Sequence, residues 1–156
     1  MTIIGFTGAR EGMKKSSKAL IKDFIIKGNY IEFHHGDCVG ADEQFHLLVD
    51  SLNIKDAVIH IHPPITSRGY KANCASKLNR TKILLHDEKS FLHRNRDIVN
   101  SSDLIIATPK SLSMKHLGGT WWTVNYALEK HKEIMILLWG IKWKKPLDIV
   151  LIANAN

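Results

Sequence analysis

A chain of 156 residues, 44% hydrophobic and 24% charged, fits one globular domain that can build a core without disulfides or a structural metal. A formal net charge of +7 favours anionic partners, and no apolar run approaches the roughly 20 residues that cross a bilayer, so no membrane partner is expected. The cysteines, Cys38 and Cys74, are too few for a disulfide framework and have no metal-ligand spacing, so both read as reduced thiols in a cytoplasmic protein.

Ile3–Phe6 reads as a strand, with no basic n-region of a signal peptide before it, and Thr7-Gly8-Ala9-Arg10 breaks it. A helical stretch follows, with Ala19, Leu20, Phe24 and Ile25 on one face. Tyr30–Phe33 is the second strand, ended by His35-Gly36-Asp37. Phe45, Leu48, Val49 and Leu52 fall at i, i+3, i+4 and i+7, which predicts a helix over Ala41–Leu52. Ala57–Ile61 is the third strand, closed by Pro63-Pro64. From Pro63 to Phe91 the pattern is irregular: Ser67-Arg68-Gly69-Tyr70 reads as loop and Lys82–Leu85 as a short strand. Arg94–Asn100 predicts a short helix leading into the strand Leu104–Thr108. Thr120–Lys132 is helical, Ile134–Leu138 is the next strand, and Pro146–Ile152 adds one at an edge. Strands alternating with helices imply an α/β, Rossmann-like fold: a mostly parallel sheet with helices on both faces, in a single domain spanning residues 1–156.

In open α/β sheets ligands bind at the carboxyl ends of the strands, so the turns there carry the functional reading. Gly8 and Ala9 follow the first strand, where a glycine permits close backbone approach, and Arg10 offers a guanidinium to phosphate. This is not the GxGxxG dinucleotide fingerprint, and no cofactor is assigned. In His35-Gly36-Asp37-Cys38-Val39-Gly40-Ala41-Asp42, Asp37 is placed to accept hydrogen bonds from ribose hydroxyls or a base, and Asp42 opens a helix. Cys38 sits near that helix start, which can lower a thiol pKa, but is given no role. Gly118, Gly119, Thr120 and Thr123 begin another helix, where backbone amides and hydroxyls together make a phosphate cradle. Arg94, Asn95 and Arg96 either contact phosphate or sugar, or pair with Asp97 and Asp103. Trp121 either stacks on a base or packs in the core, and Trp122, Trp139 and Trp143 read as packing residues.

Nine histidines raise the question of a metal. His34-His35 and His60-x-His62 end adjacent predicted strands, but no fixed ligand spacing joins them, and no metal is assigned. Apart from Lys142, Lys144 and Lys145 the lysines are spread along the chain, a pattern of solubility more than of a nucleic-acid footprint.

Taken in order, these pieces resemble the SLOG superfamily, which groups the Lonely-guy (LOG) cytokinin-activating proteins, the Smf/DprA DNA-processing proteins and the YspA/YpsA-like proteins. Gly5-Phe6-Thr7-Gly8-Ala9-Arg10 resembles the family's first-strand turn. His35 through Asp42, followed by His46, is similar to the DprA loop SGxAxGIDxxAH. Arg94-Asn95-Arg96 is similar to the RNR before the fourth core strand, and Gly119 through Glu129 resembles GSLITAxxALE. The resemblance covers Ile3 to Leu138. It implies nucleotide-type ligands in the crevice lined by these loops, whether sensed or sequestered as signals, as in bacterial defence, or processed. LOG-like members hydrolyse nucleoside monophosphates with the glutamate of PGGxGTxxE. In this chain Leu117 stands for the proline, and the glutamate position falls on Thr123 or Asn125, neither of which ionises.

The expected function is therefore binding of a nucleotide-type small molecule, with Gly8, Ala9, Arg10, His35, Gly36, Asp37, Arg94, Asn95, Arg96, Gly118, Gly119, Thr120 and Thr123 forming the site. An N-glycoside hydrolase using Asp37 or Asp42 is one alternative, and DprA-like single-stranded DNA binding is the second. The resemblance also implies a homo-oligomer.

Overall fold

The structure, a computed structural model, describes residues 1–111, 118–138 and 149–152. In chain order it contains β1 (Ile4–Gly8), α1 (Lys15–Gly28), β2 (Glu32–His35), α2 (Ala41–Ser51), β3 (Val58–Ile61), β4 (Lys82–Leu85), α3 (Phe91–Ser101), β5 (Leu104–Thr108), α4 (Gly119–Glu129), β6 (Glu133–Leu137) and β7 (Ile149–Ile152). The strands form one sheet in the order β4-β3-β2-β1-β5-β6-β7. The pairs from β4 across to β6 are parallel, and β7 joins β6 antiparallel. This is the α/β Rossmann-like class the sequence predicts.

Parallel neighbours need crossover connections, and these are right-handed almost without exception. From β1 to β3 the chain moves one way across the sheet, and from β5 to β6 it moves the other way. Right-handed crossovers therefore put α1 and α2 on one face and α3 and α4 on the other. The core divides accordingly. Ile21, Ile25, Phe45 and Val49 pack with Ile4, Phe6, Phe33, Ile59, Ile106 and Met135. Ile98, Val99, Val124 and Ala127 pack with Ile105, Ala107, Ile134 and Ile136. Period-two alternation along β5 and β6 feeds both clusters, which is why these strands read as continuous apolar runs.

Several boundaries differ from the sequence reading. β1 continues to Gly8, held by its full register with β5 (Gly8 opposite Thr108). β2 is Glu32–His35 rather than Tyr30–Phe33, because it is anchored to β3 with His34 opposite His60 and His35 opposite Ile61. α3 starts earlier, at Phe91, where Ser90 caps it by accepting the His93 N–H at 3.4 Å. α4 ends at Glu129, two residues before His131 turns left-handed (φ 55°). β4 forms as expected at Lys82–Leu85. For the predicted Pro146–Ile152 strand, Ile149–Ile152 is β7 and 146–148 lie outside the described residues. Leu117, Trp139, Trp143 and the three C-terminal lysines also lie outside them. Among the described residues, no helix is long and apolar enough to cross a membrane.

Between β3 and β4 the chain forms a 3₁₀ turn (Cys74–Ser76) and folds over the β2–α2 loop. Val39 N–H donates to the Tyr70 carbonyl, and Ala72 N–H to that of Asp37, each at 2.8 Å. Further along, the Arg80 and Thr81 N–H groups both donate to Asp50 Oδ1 at 2.8 Å.

Candidate functional site

A cleft of about 610 Å³ opens at the carboxyl ends of β1 and β5, where the strand order reverses. That is the crevice in which open α/β sheets hold ligands. Its walls come from the β1–α1 turn, the start of α2, the first turns of α3, the loop after β5 and the start of α4. Of the predicted residues, Gly8, Ala9, Arg10, Asp42, Arg94, Asn95, Gly118, Gly119 and Thr120 line it.

α4 opens on this cleft with Gly118 as its N-cap and no side-chain cap. The first backbone bond into the helix runs from Trp122 N–H to the Gly118 carbonyl at 3.1 Å. That leaves the N–H groups of Gly119, Thr120 and Trp121 without helical partners, at the positive end of the helix dipole. Arg10 is exposed, with its guanidinium 3.8 Å over the Tyr70 ring. It makes no ion pair among the described residues, so its charge is available to an anion. The Asn95 side chain is buried beside Gly119. Trp121 donates its indole N–H to the Ser111 carbonyl at 2.9 Å while its ring stays on the cleft wall. Lys110 and Glu11 pair at 3.0 Å; together with Phe91 and Ser111 they are wall residues that the sequence reading missed. No local motif marks them, because they come from turns and helix ends distant in sequence that only the folded sheet brings together.

Beneath the cleft Arg94 and Asp42 form a buried ion pair at 3.6 Å. Arg94 also donates to Cys38 Sγ at 3.1 Å, and Cys38 N–H donates to Asp42 Oδ2 at 3.2 Å. Burial raises the Asp42 carboxyl above its ordinary value, with the Arg94 charge opposing. A Cβ at Gly36 would overlap the Arg94 guanidinium, so the approach of that side chain requires a glycine there. Gly8 has a similar origin, because a Cβ there would overlap Thr108 Oγ1 and the Ala41 Cβ. Burial pushes the Cys38 thiol up to about 11, against the lowered value its helix-start position suggests.

Five expected residues lie away from the cleft wall. Gly36 is one. His35 is fully buried in a hydrogen-bonded chain whose geometry fixes the tautomers: Asp37 N–H donates to His35 Nδ1 at 3.1 Å, leaving His35 Nε2–H for His46 Nδ1 at 2.9 Å. His46 Nε2–H then donates to Asn79 Oδ1 at 2.6 Å. Burial, reinforced by His46, holds His35 well below its ordinary pKa. Asp37 is 1% exposed, left-handed (φ 56°), and accepts the Cys74 N–H at 2.8 Å, so its carboxylate clasps the 70–74 segment where a ribose contact was expected. Thr123 turns its hydroxyl back to the Gly119 carbonyl at 2.7 Å. Arg96 is exposed on α3 and stacks over Trp122 and Tyr126 at 5.7 and 5.9 Å. Neither Asp97 nor Asp103 pairs with the arginines: Asp97 binds Lys89 at 2.6 Å, and Asp103 accepts the Ile3 N–H at 2.8 Å.

No family model matches the chain, and neither does any curated protein. Among solved structures it is similar to the X-ray structure of TM1055, a structural genomics target, with 16% identity and a TM-score of 0.58 over 90% of this chain and 75% of that one. At that identity the likeness concerns the fold alone, and it agrees with the Rossmann-like architecture.

Proposed function

We propose that the cleft binds a nucleotide or nucleotide-derived small molecule, sensed or sequestered rather than turned over. The observation that carries this reading is the start of α4, with no side-chain cap, sharing one cleft with Arg10, which makes no ion pair among the described residues. Three N–H groups without helical partners and a guanidinium form an anion site of the kind that holds phosphate. About 610 Å³ falls within the usual range of small-molecule pockets. Asn95 and Thr120 take the polar contacts first expected of Asp37, and the Trp121 ring offers a stacking surface. The ordered resemblance to the SLOG superfamily supports the same reading.

Asp42 favours a second reading. It is a cleft-lining carboxyl with a raised pKa, and N-glycoside hydrolysis needs a carboxylate at the reacting centre. Its pairing with Arg94 is the argument for a structural role.

The test is a thermal-shift screen of mononucleotides, dinucleotides, cyclic nucleotides, ADP-ribose and short single-stranded DNA, with chromatography of each mixture afterwards. A ligand that binds only the folded state raises Tm by mass action. The expected result is stabilisation by a small nucleotide recovered intact, with affinity about 10–100-fold weaker in Arg10→Ala, the worth of one charge-assisted hydrogen bond. Recovery as free base and sugar phosphate makes the protein a hydrolase. A shift by DNA alone, steeply weakened by salt, transfers the assignment to nucleic acid.

A further inference from the structure

On the sheet face that carries α3 and α4, four imidazoles gather along β2, β3 and the end of β4. His34 on β2 lies opposite His60 on β3, and their rings stack with centroids 4.1 Å apart. One step up the sheet, His62 and His86 follow β3 and β4 and stack at 4.1 Å. Two diagonal hydrogen bonds tie the pairs together: His34 Nδ1 to His62 Nε2, and His60 Nδ1 to His86 Nε2, both at 2.9 Å. The remaining nitrogens of His34 and His60 converge on one acid, with Glu32 Oε1 at 3.3 Å from His34 Nε2 and 3.4 Å from His60 Nε2.

We propose that Glu32 and the Nε2 atoms of His34 and His60 form a site for one divalent transition-metal ion of the zinc class, with His62 and His86 positioning the two ligand rings. Bond lengths near 2.1 Å put tetrahedral ligand atoms about 3.4 Å apart. The two Glu32–histidine separations already have that value, and all three ligand atoms lie within 4.8 Å of one another. Two imidazoles and a carboxylate suit Zn²⁺, Co²⁺ or Ni²⁺ better than Ca²⁺ or Mg²⁺. Each ligand ring places its other nitrogen on a further histidine, the outer-shell arrangement that fixes ring orientation and tautomer. The protons balance without release. Without the ion, His34 and His60 donate Nε2–H toward Glu32; with it, both become Nδ1–H donors to His62 and His86, which move their own proton from Nε2 to Nδ1. Glu32 and His60 are partly exposed, 29% and 15% of their side chains, so a fourth position is open to water or a ligand. A second convergence, His35, His46 and Cys74, makes a poorer site, since its imidazoles are already spent in the chain to Asn79 and burial pushes its thiol up.

The experiment titrates the full chain, stripped with a chelator, with Zn²⁺ by calorimetry and with Co²⁺ by visible absorption. Expected are one ion per chain, a Kd at or below about 1 µM, a raised Tm, and a tetrahedral Co²⁺ spectrum. Glu32→Gln and His60→Ala change accessible side chains, and circular dichroism verifies their fold. Each should weaken binding by at least about 100-fold. His86→Gln should weaken it about 10–100-fold with the stoichiometry kept and the Co²⁺ spectrum altered. His93→Ala and His131→Ala, on exposed histidines elsewhere, should change nothing. The proposal fails if no saturable one-to-one binding occurs, or if Zn²⁺ binds the folded Glu32→Gln and His60→Ala variants as tightly as the parent.

Discussion

Arg94→Met isolates the charge beneath the cleft. Methionine keeps most of the apolar stem but removes the guanidinium 3.6 Å from Asp42, leaving a carboxylate that is 5% exposed and accepts, among the described residues, the Cys38 N–H at 3.2 Å. Removing one partner of a buried pair costs about 3–5 kcal/mol, because the other charge stays desolvated and uncompensated. That is a large share of the 5–15 kcal/mol typical of a folded domain. The pH dependence gives a second signature. The folded-state pKa of Asp42 is already raised by burial, and Arg94 is the main influence holding it down. Without Arg94 it rises further, so the folded variant binds a proton more tightly than its unfolded chain. The penalty is then complete above the folded pKa and shrinks as pH falls toward the unfolded value of 3.8. Urea unfolding of parent and variant between pH 8 and 5 measures the difference at each pH. A second comparison uses the double variant Asp42→Leu/Arg94→Met, which should be more stable than Arg94→Met alone. A cost below about 1 kcal/mol, constant with pH and not relieved by the second substitution, would refute the account of the pair.

Three further outcomes follow from the same geometry. Gly40→Ala should cost about 1–3 kcal/mol from its left-handed backbone alone (φ 91°), and more because a Cβ there would overlap the Arg10 carbonyl; an unchanged Tm would show that the loop is free to relax. Asp37→Ala should lower Tm by removing the acceptor of the Cys74 N–H, and should leave nucleotide affinity unchanged in variant that is still folded; a selective loss of affinity would return Asp37 to the site. In chelator, acid should weaken the fold, because burial holds His34 to about 4, His62 to about 2 and His35 well below its ordinary value. The unfolded chain takes up these protons near 6.5 and the folded chain does not, so stability is full above that pH. It is lost toward pH 4 at up to about 1.4 kcal/mol per pH unit for each ring; a urea midpoint that stays flat from pH 7 to 5 would contradict this.

Fold class and the place of the cleft were legible because they rest on local patterns. The apolar runs Ile3–Phe6 and Leu104–Thr108 and the i, i+3, i+4, i+7 spacing from Phe45 to Leu52 each record which way a side chain faces within one element. Alternation of such elements dictates a parallel sheet, and the sheet dictates a crevice at its carboxyl ends. Burial and strand register were not legible, because both are set by residues distant in sequence. Asp37 looked like a ligand contact until Cys74, 37 residues on, was found donating to it. Gly36 reads from sequence as a ligand-site glycine, but the Arg94 guanidinium lies against it. The sequence by itself determined the order of strands and helices and the turns that end them. Only the pairing of β2, β3 and β4 could set His34, His60, His62 and His86 side by side, because a one-residue change of register would turn His34 to the opposite face.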